Sequence, residues 1–233
     1  MLCNESESKL FAIKMSVFTF LHPSNIVLAG PSGAGKTHFL VNALASGLFT
    51  PTPNRIVWIY SESQNGHEVL NQLAAQGKLP KIEYKHNDTK YEELHESFDP
   101  TQTNLLVIDD QMNEGKSNAN EFSNIFTKGS HHRSITVVYM MQNLFEKGGS
   151  NRTINLNAHY TLVFKNPRDQ RQITVLGSQM FPKNSTFLRD AYADATEQPH
   201  SYLALDFRQE TPEELRVLSK LDSSAVIVYT PSR

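Results

Sequence analysis

Gly30-Pro31-Ser32-Gly33-Ala34-Gly35-Lys36-Thr37 is the stretch that decides the fold. It fits the spacing Gly-x-x-x-x-Gly-Lys-Ser/Thr at every fixed position. It follows the apolar run Asn25-Ile-Val-Leu-Ala29 and precedes a segment of helical periodicity, which is the context a phosphate-binding loop requires. Glycines permit positive φ, so successive N–H groups can turn inward around phosphate oxygens. The following helix adds the positive end of its dipole. Residues Gly30 to Thr37 are therefore expected to bind a nucleoside triphosphate, ATP or a close relative. Lys36 is expected to reach the β- and γ-phosphates, and Thr37 to offer its hydroxyl to Mg²⁺.

Working outward, Lys36 to Gly47 carries Phe39, Leu40, Ala43 and Leu44 on one helical face, with Gly47 suited to the C-terminal cap. Arg55–Tyr60 reads as a second strand and His67–Ala75 as a helix. Asn104–Asp109 is a continuous apolar strand, Glu121–Lys128 is expected to be helical, and Ser134–Met141 is a β-branched strand. His159–Phe164 is a further strand. The segment from Pro167 to Met180 reads as a helix opening on proline. Ser201–Phe207 and Ala225–Thr230 read as late strands at a sheet edge. Apolar strands separated by helices predict an α/β fold, a mainly parallel sheet with helices on both faces.

Two further features carry chemistry. Leu105-Leu-Val-Ile-Asp109-Asp110 ends a strand in two acids, the pattern of a Walker B strand. Asp109 is expected to hold Mg²⁺, and Asp110 to orient the attacking water, a role in which Asp is one methylene shorter than Glu. The strand Val137–Met141 runs into Gln142 and Asn143. At the carboxyl end of a parallel strand an amide faces the ligand crevice, so Gln142 is the expected γ-phosphate sensor. A strand is expected between the P-loop strand and the acidic strand, an arrangement unlike that of simple kinases.

Arg133, in Gly129-Ser-His-His-Arg133, is the leading arginine for stabilising transition-state charge, with Arg152, Arg168 and Arg171 as alternatives. His131 and His132 lack a third ligand at suitable spacing and read as a hydrogen-bonded pair. Lys147, Arg152, Lys165 and Arg168 are the residues from which a basic surface would be built.

The bulk numbers agree with a folded domain. The chain has 233 residues, 39% apolar and 20% charged, with net charge −2. Any nucleic-acid contact must come from local clusters, since the whole is no polycation. Cys3, the single cysteine, excludes a disulfide framework. No apolar run approaches the roughly 18 residues of a membrane span. No signal-peptide pattern opens the chain, so a soluble, intracellular protein is expected. Residues 1–19 read as an N-terminal arm, with Met1 or Met15 as the start, and 20–233 as one ATPase domain.

Taken together, His22-Pro23, the P-loop, Val107-Ile-Asp-Asp110, Gly129–Arg133, Gln142-Asn-Leu-Phe145, Phe164-Lys-Asn-Pro-Arg-Asp169 and Gln172-Ile173 resemble the viral genome-packaging ATPases of the FtsK/HerA-like superfamily, of poxvirus, polinton and adintovirus type. The resemblance spans about Phe20 to Pro182. The part from about Lys183 matches nothing in that pattern. It implies a RecA-like P-loop core and a homo-oligomeric ring. It also implies ATP-driven translocation of double-stranded DNA into a capsid, with capsid proteins as partners and a virion or assembly site as the location. Lys36 and Thr37 are implied as nucleotide and Mg²⁺ ligands, Asp109 and Asp110 as the Walker B pair, and Gln142 as the sensor. Two other readings stand beside it: a nucleotide kinase or similar phosphotransferase, and an ATP-gated interaction protein with little turnover.

Overall fold

The computed structural model describes residues 11–15, 18–60, 66–86, 89, 91–109, 134–145 and 149–231. Asp110, His131, His132, Arg133, Lys147, Cys3 and the expected helix Glu121–Lys128 lie outside the described residues.

Ten strands form one sheet. They are β1 (Phe11–Met15), β3 (Asn25–Ala29), β5 (Arg55–Tyr60), β6 (Ile82–His86), β7 (Asn104–Asp109), β8 (Ile135–Met141), β9 (Tyr160–Phe164), β10 (Tyr202–Asp206), β11 (Val217–Ser219) and β12 (Val226–Thr230), in the order β1-β12-β11-β10-β9-β3-β8-β7-β5-β6. From β6 to β9 all neighbours are parallel; from β9 to β1 all are antiparallel. A small parallel ribbon pairs β2 (Phe20–Leu21) with β4 (Phe49–Thr50). The strand between the P-loop strand β3 and the acidic strand β7 is β8.

The central strands read as unbroken apolar runs because both of their faces are covered. One face packs on α1 (Lys36–Ala45) and α2 (Gly66–Ala75) through Phe39, Leu40, Leu44 and Leu70, with Trp58 fully buried beneath. The other face packs on α3 (Tyr91–Glu96), α4 (Gly149–Leu156), α5 (Arg171–Met180) and α6 (Phe187–Ala195) through Leu94, Ile154, Ile173 and Leu188. The alternation of β3, β5, β7 and β8 residues between these two cores follows from the period of a strand. This is the expected α/β, RecA-like arrangement, with a mainly parallel sheet and helices on both faces.

Three expectations change. The helix expected from Pro167 begins at Arg171. Asn166 Oδ1 accepts the N–H groups of Arg168 and Asp169, at 3.1 and 3.2 Å, and holds that stretch in a turn. Side chains of this type compete with the helix for backbone donors. The late strands are not edge strands: β10 and β12 lie inside the sheet, and the edge on their side is β1. Phe11–Met15 therefore belongs to the sheet rather than to a loose arm, paired with β12 from Phe11↔Thr230 to Met15↔Val226. Gly47 ends α1 as expected, donating to Leu44 O at 3.3 Å.

Candidate nucleotide site

In a parallel sheet the carboxyl ends of the strands share one rim. Here the register aligns Ala29 with Met141 and Val163, and Met140 with Asp109. The P-loop leaves β3 at this rim, beside the ends of β7 and β8. Gly30 N–H donates to Met141 C=O at 3.1 Å, which fixes the first loop residue one step from Gln142.

The loop's glycines act for different reasons. Gly33 and Gly35 have φ of +76° and +101°, where a side chain is strained. A Cβ on Gly33 would meet nothing within 4 Å, so backbone conformation and not space calls for glycine there. Gly30 is constrained by space: a Cβ there would lie 2.7 Å from Phe164 Cβ, at the end of β9. Lys36 is 8% exposed, and its ammonium lies inside the curve of the loop, donating to Gly30 O at 2.6 Å and Pro31 O at 3.2 Å.

A pocket of about 640 Å³ collects these groups. Ser32, Gly33, Ala34, Gly35, Lys36, Thr37, His38, Asp109 and His200 line it. A hydroxyl (Thr37) and a buried carboxylate (Asp109, 3% exposed) beside one ammonium make a hard-oxygen donor pair suited to Mg²⁺. The positive-φ turns at Gly33 and Gly35 and the N-terminus of α1 suit an anionic chain of phosphates. The residues fit ATP with Mg²⁺.

This is a P-loop NTPase fold. The deciding observation is the order β7-β8-β3 with a glycine loop, a lysine and an acid on one rim. Among solved structures, the chain aligns with the genome packaging NTPase B204 from Sulfolobus turreted icosahedral virus 2 in complex with ATP-gammaS. That alignment has TM-score 0.49 and 11% identity, over 90% of this chain and 98% of that one. The same protein with AMPPCP gives TM-score 0.49 and 12% identity, over 91% and 98%. The cytoplasmic domain of EssC gives TM-score 0.48 and 15% identity, over 66% of this chain and 33% of that one. No family model and no curated protein matches.

His38 and His200 are the pocket residues that the sequence did not announce; His38 follows Thr37 directly, whereas His200 comes from far along the chain. His200 has φ +61°, and its Cβ lies 3.1 Å from where a Cβ on Gly35 would be. It arrives because β10 runs antiparallel: Tyr202 pairs with Phe164, so the residues leading into β10 sit on the phosphate rim. The signal in the sequence was only a histidine two residues before an apolar run.

The other predicted residues fall into place unevenly. Gln142 follows β8 directly and is half-buried at the rim. Arg152, Arg168 and Arg171 are exposed, the first on α4 and the others at or before the start of α5. Arg152 also lines a larger cavity, about 950 Å³, between α4, α5 and residues 207–210, away from the P-loop. Lys165 donates to Glu197 O at 2.7 Å. Ser134, next to Arg133 in the chain, is at the opposite end of β8, about 20 Å from the rim at roughly 3.3 Å per strand residue. His22 lies near it, its ring nitrogens 2.8 Å from Thr136 Oγ1 and 2.9 Å from Ser134 Oγ. Burial pushes the His22 pKa down, against a hydrogen bond that the ring donates to the Ser134 backbone. No helix among the described residues is long and apolar enough to cross a membrane.

The signature stretches Gln142–Phe145 and Asn166–Gln172 touch. Asp169 Oδ2 accepts from Asn143 Nδ2 at 3.2 Å and from Gln172 Nε2 at 3.1 Å. Gln172 Oε1 accepts the Leu144 N–H at 2.9 Å. Asn143 Oδ1 accepts the Phe145 N–H at 2.8 Å, and Asn155 Nδ2 donates to Leu144 O.

Proposed function

We propose that this chain is an ATP-hydrolysing motor that translocates double-stranded DNA into a viral capsid, working as a ring of identical copies. The observation that carries the hydrolytic reading is the strand order, with β8 between β3 and β7: Asp109, Lys36 and Thr37 line one pocket, and Gln142, outside its lining, follows β8 at the same rim. That order speaks against the kinase reading. The packaging load rests on the resemblance of the motifs from His22 to Ile173.

In this reading Lys36 and the loop N–H groups hold the β- and γ-phosphates in line for displacement. Thr37 and Asp109 would hold Mg²⁺, which supplies positive charge to the phosphates when bound. Asp110, next in the chain after the buried Asp109, accepts a proton from the attacking water. Gln142 hydrogen-bonds the γ-phosphoryl group or that water. Arg133 is assigned to the nucleotide of a neighbouring copy, where an arginine stabilises the charge of the transition state. DNA is held through its phosphates, without reading sequence.

The test is ATP turnover with and without double-stranded DNA, over a falling salt series, on the wild type and on Lys36→Ala. DNA-stimulated turnover that Lys36→Ala abolishes supports the motor. Turnover without stimulation even at low salt, where phosphate contacts are strongest, sinks the translocation reading. Phosphate transfer to a small acceptor favours the kinase, and binding without turnover the gate.

A further inference from the structure

We propose that Asp169 is a positioning residue for the sensor turn, setting Gln142 against the γ-phosphate through Asn143 and Gln172. The inference rests on the hydrolytic reading and on Gln142 as its sensor.

On one side Gln142 follows the sheet, through the pairing of Met141 with Ala29 and the Gly30 N–H bond to Met141. On its other side the chain leaves the ladder, and Asp169 ties the turn down there. One carboxylate oxygen takes both the Asn143 and the Gln172 amide; the other takes the Arg171 N–H at 3.1 Å. Gln172, 6% exposed, passes the restraint on to the Leu144 N–H. Every contact uses the carboxylate as an acceptor. An amide in its place has one acceptor oxygen for three donors and carries no charge, so it weakens these bonds and turns its own donor toward one of them.

The turn that carries Asp169 is itself tied to the P-loop. Tyr192 on α6 donates to Phe164 O and accepts from the Asn166 N–H, both at 2.9 Å. Phe164 in turn bounds Gly30. A closed circuit of contacts thus runs from Gly30 through the sensor turn, Asp169 and Phe164 back to Gly30. Catalysis by orientation fails on displacements of about 1 Å, and a circuit of this kind holds the sensor within that margin.

The experiment measures kcat, KM and ADP affinity for the wild type, Gln142→Ala, Asp169→Asn and the double variant, with melting midpoints recorded for each. Asp169→Asn is expected to lower kcat on the order of tenfold or more, with KM and ADP affinity within about twofold. The double variant is expected to be no slower than Gln142→Ala alone, because Asp169 acts through Gln142. Asn143→Ala cuts the same link from the other side and reproduces the kcat loss should Asp169→Asn fold poorly. Multiplying effects in the double variant overturn the inference. So does a loss in Asp169→Asn that appears in ADP affinity or melting midpoint while kcat stands. Full turnover in Gln142→Ala overturns the sensor reading and this inference with it. Loss in Gln142→Ala beside unchanged kcat in Asp169→Asn and Asn143→Ala overturns this inference alone.

Discussion

Strands β7, β8 and β3 reach the phosphate rim with their carboxyl ends, whereas β10 begins there and runs away from it. The parallel half brings to the pocket the residues that follow strands: the P-loop after β3 and, at the end of β7, Asp109. The antiparallel half contributes a residue that precedes a strand, His200. Two of its tyrosines serve as tethers. Tyr202 hydroxyl donates to Asp222 at 2.7 Å and accepts from the Leu221 N–H at 2.9 Å. Tyr229 donates to Asp194 at 2.7 Å. Burial raises the pKa of both phenols, so they stay protonated and keep donating. Strand direction, more than sequence proximity, decides which residues can meet a ligand.

The sharpest way to break this division is at the one point where the halves meet the ligand together. Gly35→Ala places a side chain at φ +101° and drives it against His200. The strain alone is about 1–2 kcal/mol, so ADP affinity by calorimetry is expected to fall about tenfold or more. Adding His200→Gly relieves the approach but not the backbone, so recovery is expected to be partial. Full recovery would make His200, rather than φ, the reason for glycine.

At the nucleotide site a smaller effect is expected from Tyr202→Phe, which acts on stability instead. The ring still packs on Phe39 and Phe164, at centroid distances of 4.8 and 5.3 Å, but the buried Leu221 N–H loses its acceptor. Stability by denaturant unfolding is expected to drop about 1–3 kcal/mol, with ADP affinity unchanged. A change in affinity would mean that the antiparallel half reaches the site by more than His200.

The smallest effect concerns the far rim. His22 is depressed from its usual 6.5 by burial, so the fold favours its neutral form. That contribution is complete above the unfolded value and is lost as pH falls through it toward the folded one. His67, also depressed by burial, adds a dependence of the same sign. Between about pH 8 and pH 5, the unfolding midpoint of the wild type is expected to fall more steeply than that of His22→Gln. Equal slopes would remove His22 from the account.

What was legible in the sequence was local. The glycine spacing, the apolar runs and the acid at Asp109 declare themselves because each is contiguous and each has one mechanism. The unlegible parts depend on partners distant in the chain. Ile82–His86 escaped notice because it is an edge strand whose burial fades toward its polar end. Phe11–Met15 escaped because its partner among the described strands comes at the far end of the chain, Phe11 pairing with Thr230 and Met15 with Val226. Pro167 misled because Asn166 and Asp169 hold the chain in turns where proline suggested a helix.

The pairing of β1 with β12 bears on how the protein is made. Among the described strands β1 leaves the ribosome first, and the strand it pairs with leaves last. Throughout synthesis the amino-terminal strand has an unpaired edge, while the parallel half can already close on its helices. A chain that stalls before Val226 therefore has a complete phosphate rim and an unfinished margin, and that margin is where a nascent copy is open to pairing with another chain.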